Sequence, residues 1–262
     1  MLLTRRVRKT RRPQLIGLSG LQGSGKSTFA AQLVQKLTLA GVPTLTLSLD
    51  DFYLGRRERA RLARRVHPLL ATRGVPGTHD LGLIENTLTA LGGASAQQPA
   101  RVPRFDKGRD TRLPRARWRS VREPPRIVLF EGWCVGVPAQ SRESLARPVN
   151  RLERLEDGDA RWRGYVNAQL ASAYAALWRR LDALLWLQAP DFGVVRRWRN
   201  EQEQALRRAA APLAMSLATL RRFVMHYERL SRHGLRVLTA HADIRIVLDA
   251  RRGVRRIVAK KS

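Results

Sequence analysis

The chain has 262 residues, 44% of them hydrophobic, enough to bury the core of one α/β domain. No apolar run approaches the roughly 18 residues that would cross a bilayer, and the single cysteine, Cys134, excludes an intramolecular disulfide and predicts a reducing, cytoplasmic setting. Fifty Lys and Arg against 21 acids give +29, yet the basic residues are scattered, which reads as a solvated arginine-rich surface; the competing reading is non-specific attraction of nucleic acid or another polyanion.

Residues 1–13 read as a basic arm carrying Arg5, Arg6, Arg8, Lys9, Arg11 and Arg12, and 14–262 as one domain. Gln14–Ser19 is a short apolar strand, followed by a glycine-rich stretch. Phe29, Ala30, Leu33, Val34 and Leu37 then share one helical face, and Gly41 suits the position just past that helix. Thr44–Leu49 alternates as a second strand. Residues 55–66 and Leu81–Leu91 predict helices, and Arg73–Asp80 is a Gly/Pro loop between them. Val102–Arg119 reads as an irregular surface loop over a site. Arg126–Phe130 is a third strand, and residues 139–158 read as a mobile connection. A long helix over Ala160–Leu181, a strand at Leu184–Leu187, a basic helix over Phe192–Arg208, a helix over Pro212–Arg232 and a strand at Asp243–Leu248 complete the chain. Strand–loop–helix–strand at the start predicts a doubly wound, mostly parallel α/β sheet flanked by helices.

Gly20-Leu21-Gln22-Gly23-Ser24-Gly25-Lys26-Ser27, with Thr28 next, fits G-x-x-x-x-G-K-[ST] between a strand and a helix. Glycines let successive backbone N–H groups curl inward around a triphosphate, and the following helix adds its N-terminal partial charge. Lys26 can reach the β- and γ-phosphates, and the Ser27 hydroxyl can ligate Mg²⁺. The expected cofactors are therefore ATP and Mg²⁺.

Acids at the C-terminal ends of parallel strands face the ligand crevice. Asp50 and Asp51 follow the second strand, and Glu131 follows the third. Neighbours on a strand point to opposite sides, so one aspartate should face the phosphate. Asp50 is assigned as the base that orients the acceptor hydroxyl, Glu131 as the acid near Mg²⁺, and Asp51 as a support for Asp50 or a substrate group.

The phosphate loop, Ser48-Leu49-Asp50-Asp51-Phe52-Tyr53 and Leu129-Phe130-Glu131-Gly132-Trp133 resemble the P-loop kinase group containing uridine kinase, phosphoribulokinase, pantothenate kinase and D-glycerate 3-kinase. Arg73-Gly74-Val75-Pro76-Gly77-Thr78-His79-Asp80, Val102-Pro103-Arg104-Phe105-Asp106-Lys107, Arg197-Trp198-Arg199 and Glu131-Gly132-Trp133-Cys134-Val135-Gly136 are similar to the D-glycerate 3-kinase branch, in the same order. The resemblance implies ATP-dependent phosphorylation of D-glycerate to 3-phosphoglycerate. It implies lid arginines at Arg197 and Arg199, in a lid of about 191–210, closing on the phosphates. It also places Tyr53, Arg73, His79, Asp80, Arg104, Asp106 and Lys107 beside a small hydroxy-acid acceptor. One departure stands out: where plant-type enzymes carry a longer stretch with G-R-G-D-R, this chain has Lys107-Gly108-Arg109-Asp110-Thr111-Arg112.

A small hydroxy acid needs a cation for its carboxylate, which Arg73, Arg104 or Lys107 can supply, and acceptors for its hydroxyls, which Asp80 or Asp106 can supply. Cys134 reads as a packing residue, and Trp162, Trp178 and Trp186 as core. Competing functions are a kinase of a nucleoside or sugar phosphate, and a nucleic-acid-binding ATPase that uses the +29 surface. Oligomeric state is left open.

Overall fold

A computed structural model describes residues 12–208 and 215–260. Most of the expected basic arm, the last two positions of the expected lid and the first three of the helix expected from Pro212 lie outside these residues. In chain order the elements begin with β1 (Gln14–Gly20), α1 (Lys26–Leu39), β2 (Thr44–Ser48), α2 (Arg56–Arg65) and α3 (Leu81–Gly92). The short strands β3 (Ala100–Val102), β4 (Phe105–Asp106), β5 (Thr111–Arg112) and β6 (Arg119–Val121) follow. Then come β7 (Ile127–Gly132), α4 (Arg142–Ala146), α5 (Arg151–Glu156), α6 (Arg161–Gln169), α7 (Ala175–Trp178) and β8 (Ala183–Gln188). The last elements are α8 (Gly193–Arg208), α9 (Leu217–His241), β9 (Ile244–Leu248) and β10 (Val254–Ala259).

Six strands form one sheet in the order β10-β9-β8-β1-β7-β2. All neighbours are parallel except β10, which pairs antiparallel with β9 at one edge. The burial pattern explains the placement. Every residue of β1 and β7 is buried, as central strands covered on both faces require. Strand β2 alternates between buried and half-buried positions and takes the other edge. Register carries chemistry as well: Leu18 and Ser48 both sit opposite Glu131, so the C-terminal ends of β1, β2 and β7 finish level with one another.

Several expectations change. The second strand ends at Ser48, because Leu49–Phe52 winds into a 3₁₀ turn; Asp50 and Asp51 are therefore not alternate positions of a strand. The loop over 102–119 contains paired strands, β3 with β6 and β4 with β5. The expected connection over 139–158 holds α4 and α5, anchored by Arg229 of α9. Its guanidinium reaches both Glu153 oxygens at 2.8 and 2.6 Å and the Ser144 and Arg147 carbonyls at 2.7 Å each. The long helix expected to run to Leu181 ends at Trp178 and is interrupted by a π turn over Leu170–Tyr174, which aims Tyr174 at the 73–80 loop. Trp162 and Trp186 are buried in the core, and Trp178 packs against it.

Candidate active site

The three strand ends border a cavity of about 560 Å³ whose other walls come from α2, the 71–73 and 107–110 segments, α8 and α9. Its floor is the phosphate loop. Gly23 and Gly25 have φ of 77° and 86°, conformations that side chains other than glycine rarely adopt. At Gly23 space is short too, since a Cβ would lie 2.6 Å from Cβ of Trp198 on α8. Gln22, Gly23, Lys26 and Ser27 line the cavity. The Gln22 amide and Ser24 Oγ are buried without a hydrogen-bond partner among the described residues. Gly20 closes β1, Leu21 is in the core, Gly25 caps α1 and Thr28 is exposed on it. Orphaned donors beside a left-handed glycine turn fit an oxyanion chain.

Beside the loop, Ser27 Oγ and Ser48 Oγ both donate to Oε1 of buried Glu131, at 3.1 and 2.9 Å. Three hard oxygens converge there, a donor set suited to Mg²⁺. Asp50 is half-buried and faces the same cavity. Tyr53 donates to its Oδ1 at 2.6 Å, and Lys107 Nζ lies 2.5 Å from Oδ2. Burial pushes the Asp50 carboxyl up, but the Lys107 charge and hydrogen bond, the Tyr53 hydroxyl and Lys26 together hold it well below the ordinary carboxylate range.

Of the residues expected around the acceptor, Tyr53, Arg73 and Lys107 line the cavity. The others do not border it, and most serve neighbouring structure. Asp51 accepts the Phe105 N–H at 2.9 Å and so fastens β4; burial, ahead of its neighbours, pushes its carboxyl up. His79 stacks on Tyr53 at 4.8 Å and shares a hydrogen bond between its Nδ1 and the Tyr174 hydroxyl, 2.6 Å away; burial lowers its pKa to about 4, so it is neutral at pH 7. Asp80 caps α3 through Leu83 N–H at 2.9 Å and accepts from Arg112 at 3.1 Å. Asp106 accepts the Gly108 and Arg109 N–H groups. Arg104 is exposed. The two expected lid arginines part company. Arg199 lines the cavity, with its guanidinium on Gln202 and Glu203 at 2.7 and 2.8 Å, whereas Arg197 turns away to the Ala250 carbonyl.

Sequence reasoning missed several walls. Arg59 was one arginine among many in α2. Asp110 appeared only in the altered stretch after Lys107. Trp133, Phe223 and Tyr227 also border the cavity, and Tyr227 donates to the Arg73 carbonyl at 2.9 Å. Gly74 admits that contact, since a Cβ there would lie 2.0 Å from the Tyr227 hydroxyl. Arg252, on the β9–β10 turn, donates to the Gly23 carbonyl at 2.6 Å. Burial pushes the Cys134 thiol far above its ordinary range, in keeping with a packing role.

Residues 15–145 match the phosphoribulokinase/uridine kinase family. Over 224 residues the chain is 36% identical to the uncharacterized kinase mug58 of Schizosaccharomyces pombe, covering 82% of this chain and 79% of that one. The chain belongs to the phosphoribulokinase/uridine kinase family. This kinase is also 33% identical over 203 residues to the chloroplastic D-glycerate 3-kinase of Arabidopsis thaliana, covering 74% of this chain and 42% of the plant protein. Its fold superposes on D-glycerate 3-kinase from Cryptococcus neoformans with a TM-score of 0.77 at 25% identity, over 95% of this chain and 90% of the fungal one. In this kinase the cavity lies at the strand ends, beneath α8. Among the described residues no helix is long and apolar enough to cross a membrane.

Proposed function

We propose that this kinase transfers the γ-phosphoryl group of ATP to a hydroxyl of D-glycerate, giving 3-phosphoglycerate. The observation that carries the reading is Asp50, an ionised carboxylate sharing one cavity with Lys26, the glycine turn and a cluster of arginines. A neutral sugar or nucleoside would not need two arginines, Arg59 and Arg73, beside its hydroxyl site; a hydroxy acid does. The plant and fungal glycerate kinases among its relatives point the same way.

In this reading Gln22, Ser24 and the backbone N–H groups of the glycine turn hold the phosphates, and Lys26 offers a mobile charge to the terminal ones. Ser27, Ser48 and Glu131 would hold Mg²⁺, whose charge neutralises phosphate oxygens. Asp50 accepts a hydrogen bond from the acceptor hydroxyl, orients it and takes its proton as the new O–P bond forms and the bond from the γ-phosphorus to the β,γ-bridging oxygen breaks, with ADP as the leaving group. Arg199 stabilises charge spreading onto the equatorial oxygens. Water is held off by α8, which packs on Gly23 through Trp198.

The test is ADP release with ATP and Mg²⁺ across a panel of D-glycerate, L-glycerate, glycerol, nucleosides and sugar phosphates. D-glycerate should be turned over and glycerol should not. Turnover of a nucleoside or sugar phosphate with none of D-glycerate rejects the assignment.

A further inference from the structure

Arg59 is an uncommon arginine. Its side chain is 2% exposed, and two of its three nitrogens are fixed: Nε donates to the Ala71 carbonyl at 3.1 Å and Nη1 to the Leu54 carbonyl at 2.9 Å. The remaining Nη2 is directed at Asp110 Oδ2. Arg73, from a different segment, donates through Nη1 to the other oxygen, Oδ1, at 2.5 Å. Two guanidiniums thus converge on one carboxylate at the cavity wall, and neither is replaceable by lysine without losing directed donors.

The carboxylate itself is held differently. Asp110 sits on the turn between β4 and β5, with φ of 53° in the left-handed region. Its side chain is 28% exposed. Three residues earlier the same turn lays Lys107 Nζ on Asp50 Oδ2. The turn therefore presents a cation to Asp50 and an anion to the arginines. A small hydroxy acid would make two parallel contacts, its hydroxyl on Asp50 and its carboxylate on the arginines. A buried guanidinium cannot stand uncompensated, so something anionic must fill the pair whenever substrate is away.

We propose that Arg59 and Arg73 form the binding pair for the acceptor's carboxylate, and that Asp110 is an internal stand-in which the acceptor displaces. This rests on the hydroxy-acid reading above and adds its recognition residues. Displacing an occupant reduces apparent affinity by the fraction of protein whose pair is open. Removing that occupant therefore tightens acceptor binding. An Asp110 that only fastened the loop would have the opposite effect, because its loss would loosen Arg73.

The experiment compares wild type with Asp110→Ala by thermal melting and by turnover. D-glycerate and acetate should raise the melting temperature of Asp110→Ala more than that of wild type, and uncharged glycerol should not. KM for D-glycerate should fall, on the order of tenfold, with KM for ATP unmoved. Adding Arg73→Lys should remove the gain. Asp110→Asn, which keeps the shape and drops the charge, provides the same comparison should the alanine variant not fold. Equal carboxylate shifts in variant and wild type, or a higher KM for D-glycerate, overturn the proposal. Failure of the functional reading is separately visible: wild type would then phosphorylate no hydroxy acid, while the melting comparison of acetate against glycerol would still decide the arginine pair.

Discussion

Asp50 is pulled in two directions. Burial alone would raise its pKa; Lys107, first by charge and then by hydrogen bond, reverses the sign. The result is a carboxylate that stays ionised throughout pH 5–9. Wild-type kcat/KM should accordingly show no acid limb from this residue in that range. Lys107→Ala removes the reversing charge and leaves burial, so an acid limb should appear at higher pH than in wild type. Asp50→Asn should leave nucleotide affinity near wild type and lower kcat by roughly 10²–10⁴-fold, the scale of a positioned base. Wild-type turnover in Asp50→Asn would reject the assignment, and an unmoved pH profile in Lys107→Ala would reject the electrostatic account.

Helix α9 supplies Phe223 and Tyr227 to the cavity, so its docking decides the shape of the site. That docking is fixed by a fully buried ion pair. Glu153 of α5 is 0% exposed and accepts from Arg229 with both oxygens, while its Oε2 also takes the Val149 N–H at 2.9 Å. Removing one member strands the other charge, at about 3–5 kcal/mol. Glu153→Ala should lose that much in denaturant unfolding, and the apolar double variant Glu153→Leu/Arg229→Met should lose much less. A loss below about 1 kcal/mol for the single variant would mean that the pair is not what holds the helix. Helix α9 itself was legible from its apolar face through Leu220, Val224 and Tyr227, but its anchor was not: Pro148 cuts 139–158 into stretches too short to stand out as helices, and Arg229 is one arginine of many. The phosphate loop was legible because it is local: one strand, eight contiguous residues and one helix carry it whole. Glu131 was legible from its place at a strand end. Arg59 and Asp110 were not, because they are 51 positions apart and only the fold brings them together. The edge strand β10 escaped for another reason: Val254 and Ile257 are both more than half exposed, so VRRIVA carries no buried alternation to detect.

At the scale of the whole molecule, +29 charges repel one another and their number grows as carboxylates protonate. That repulsion is screened by salt within about 10 Å at 0.1 M. A second acid liability is not screened. His79 and His226 are buried, and burial lowers each to about 4; His233 is lowered for the same reason, followed by Arg236. In the unfolded chain these rings titrate near 6.5. Between about pH 6.5 and 4 the unfolded state therefore binds more protons than the folded one. The stability that the neutral rings contribute is complete above about 6.5 and is lost as pH falls, by at most ~1.4 kcal/mol per pH unit for each ring. The depressed pKa of Asp50 works in the same sense but at lower pH, through and below the ordinary carboxylate value. The two liabilities separate by salt. Adding 0.5 M NaCl should raise the melting temperature at every pH by weakening surface repulsion, yet leave a fall between pH 6.5 and 4.5. His226→Gln, on α9 against the Trp162 ring, should make that residual fall shallower. If salt flattens the whole profile, surface charge alone governs acid unfolding and the buried histidines contribute nothing measurable.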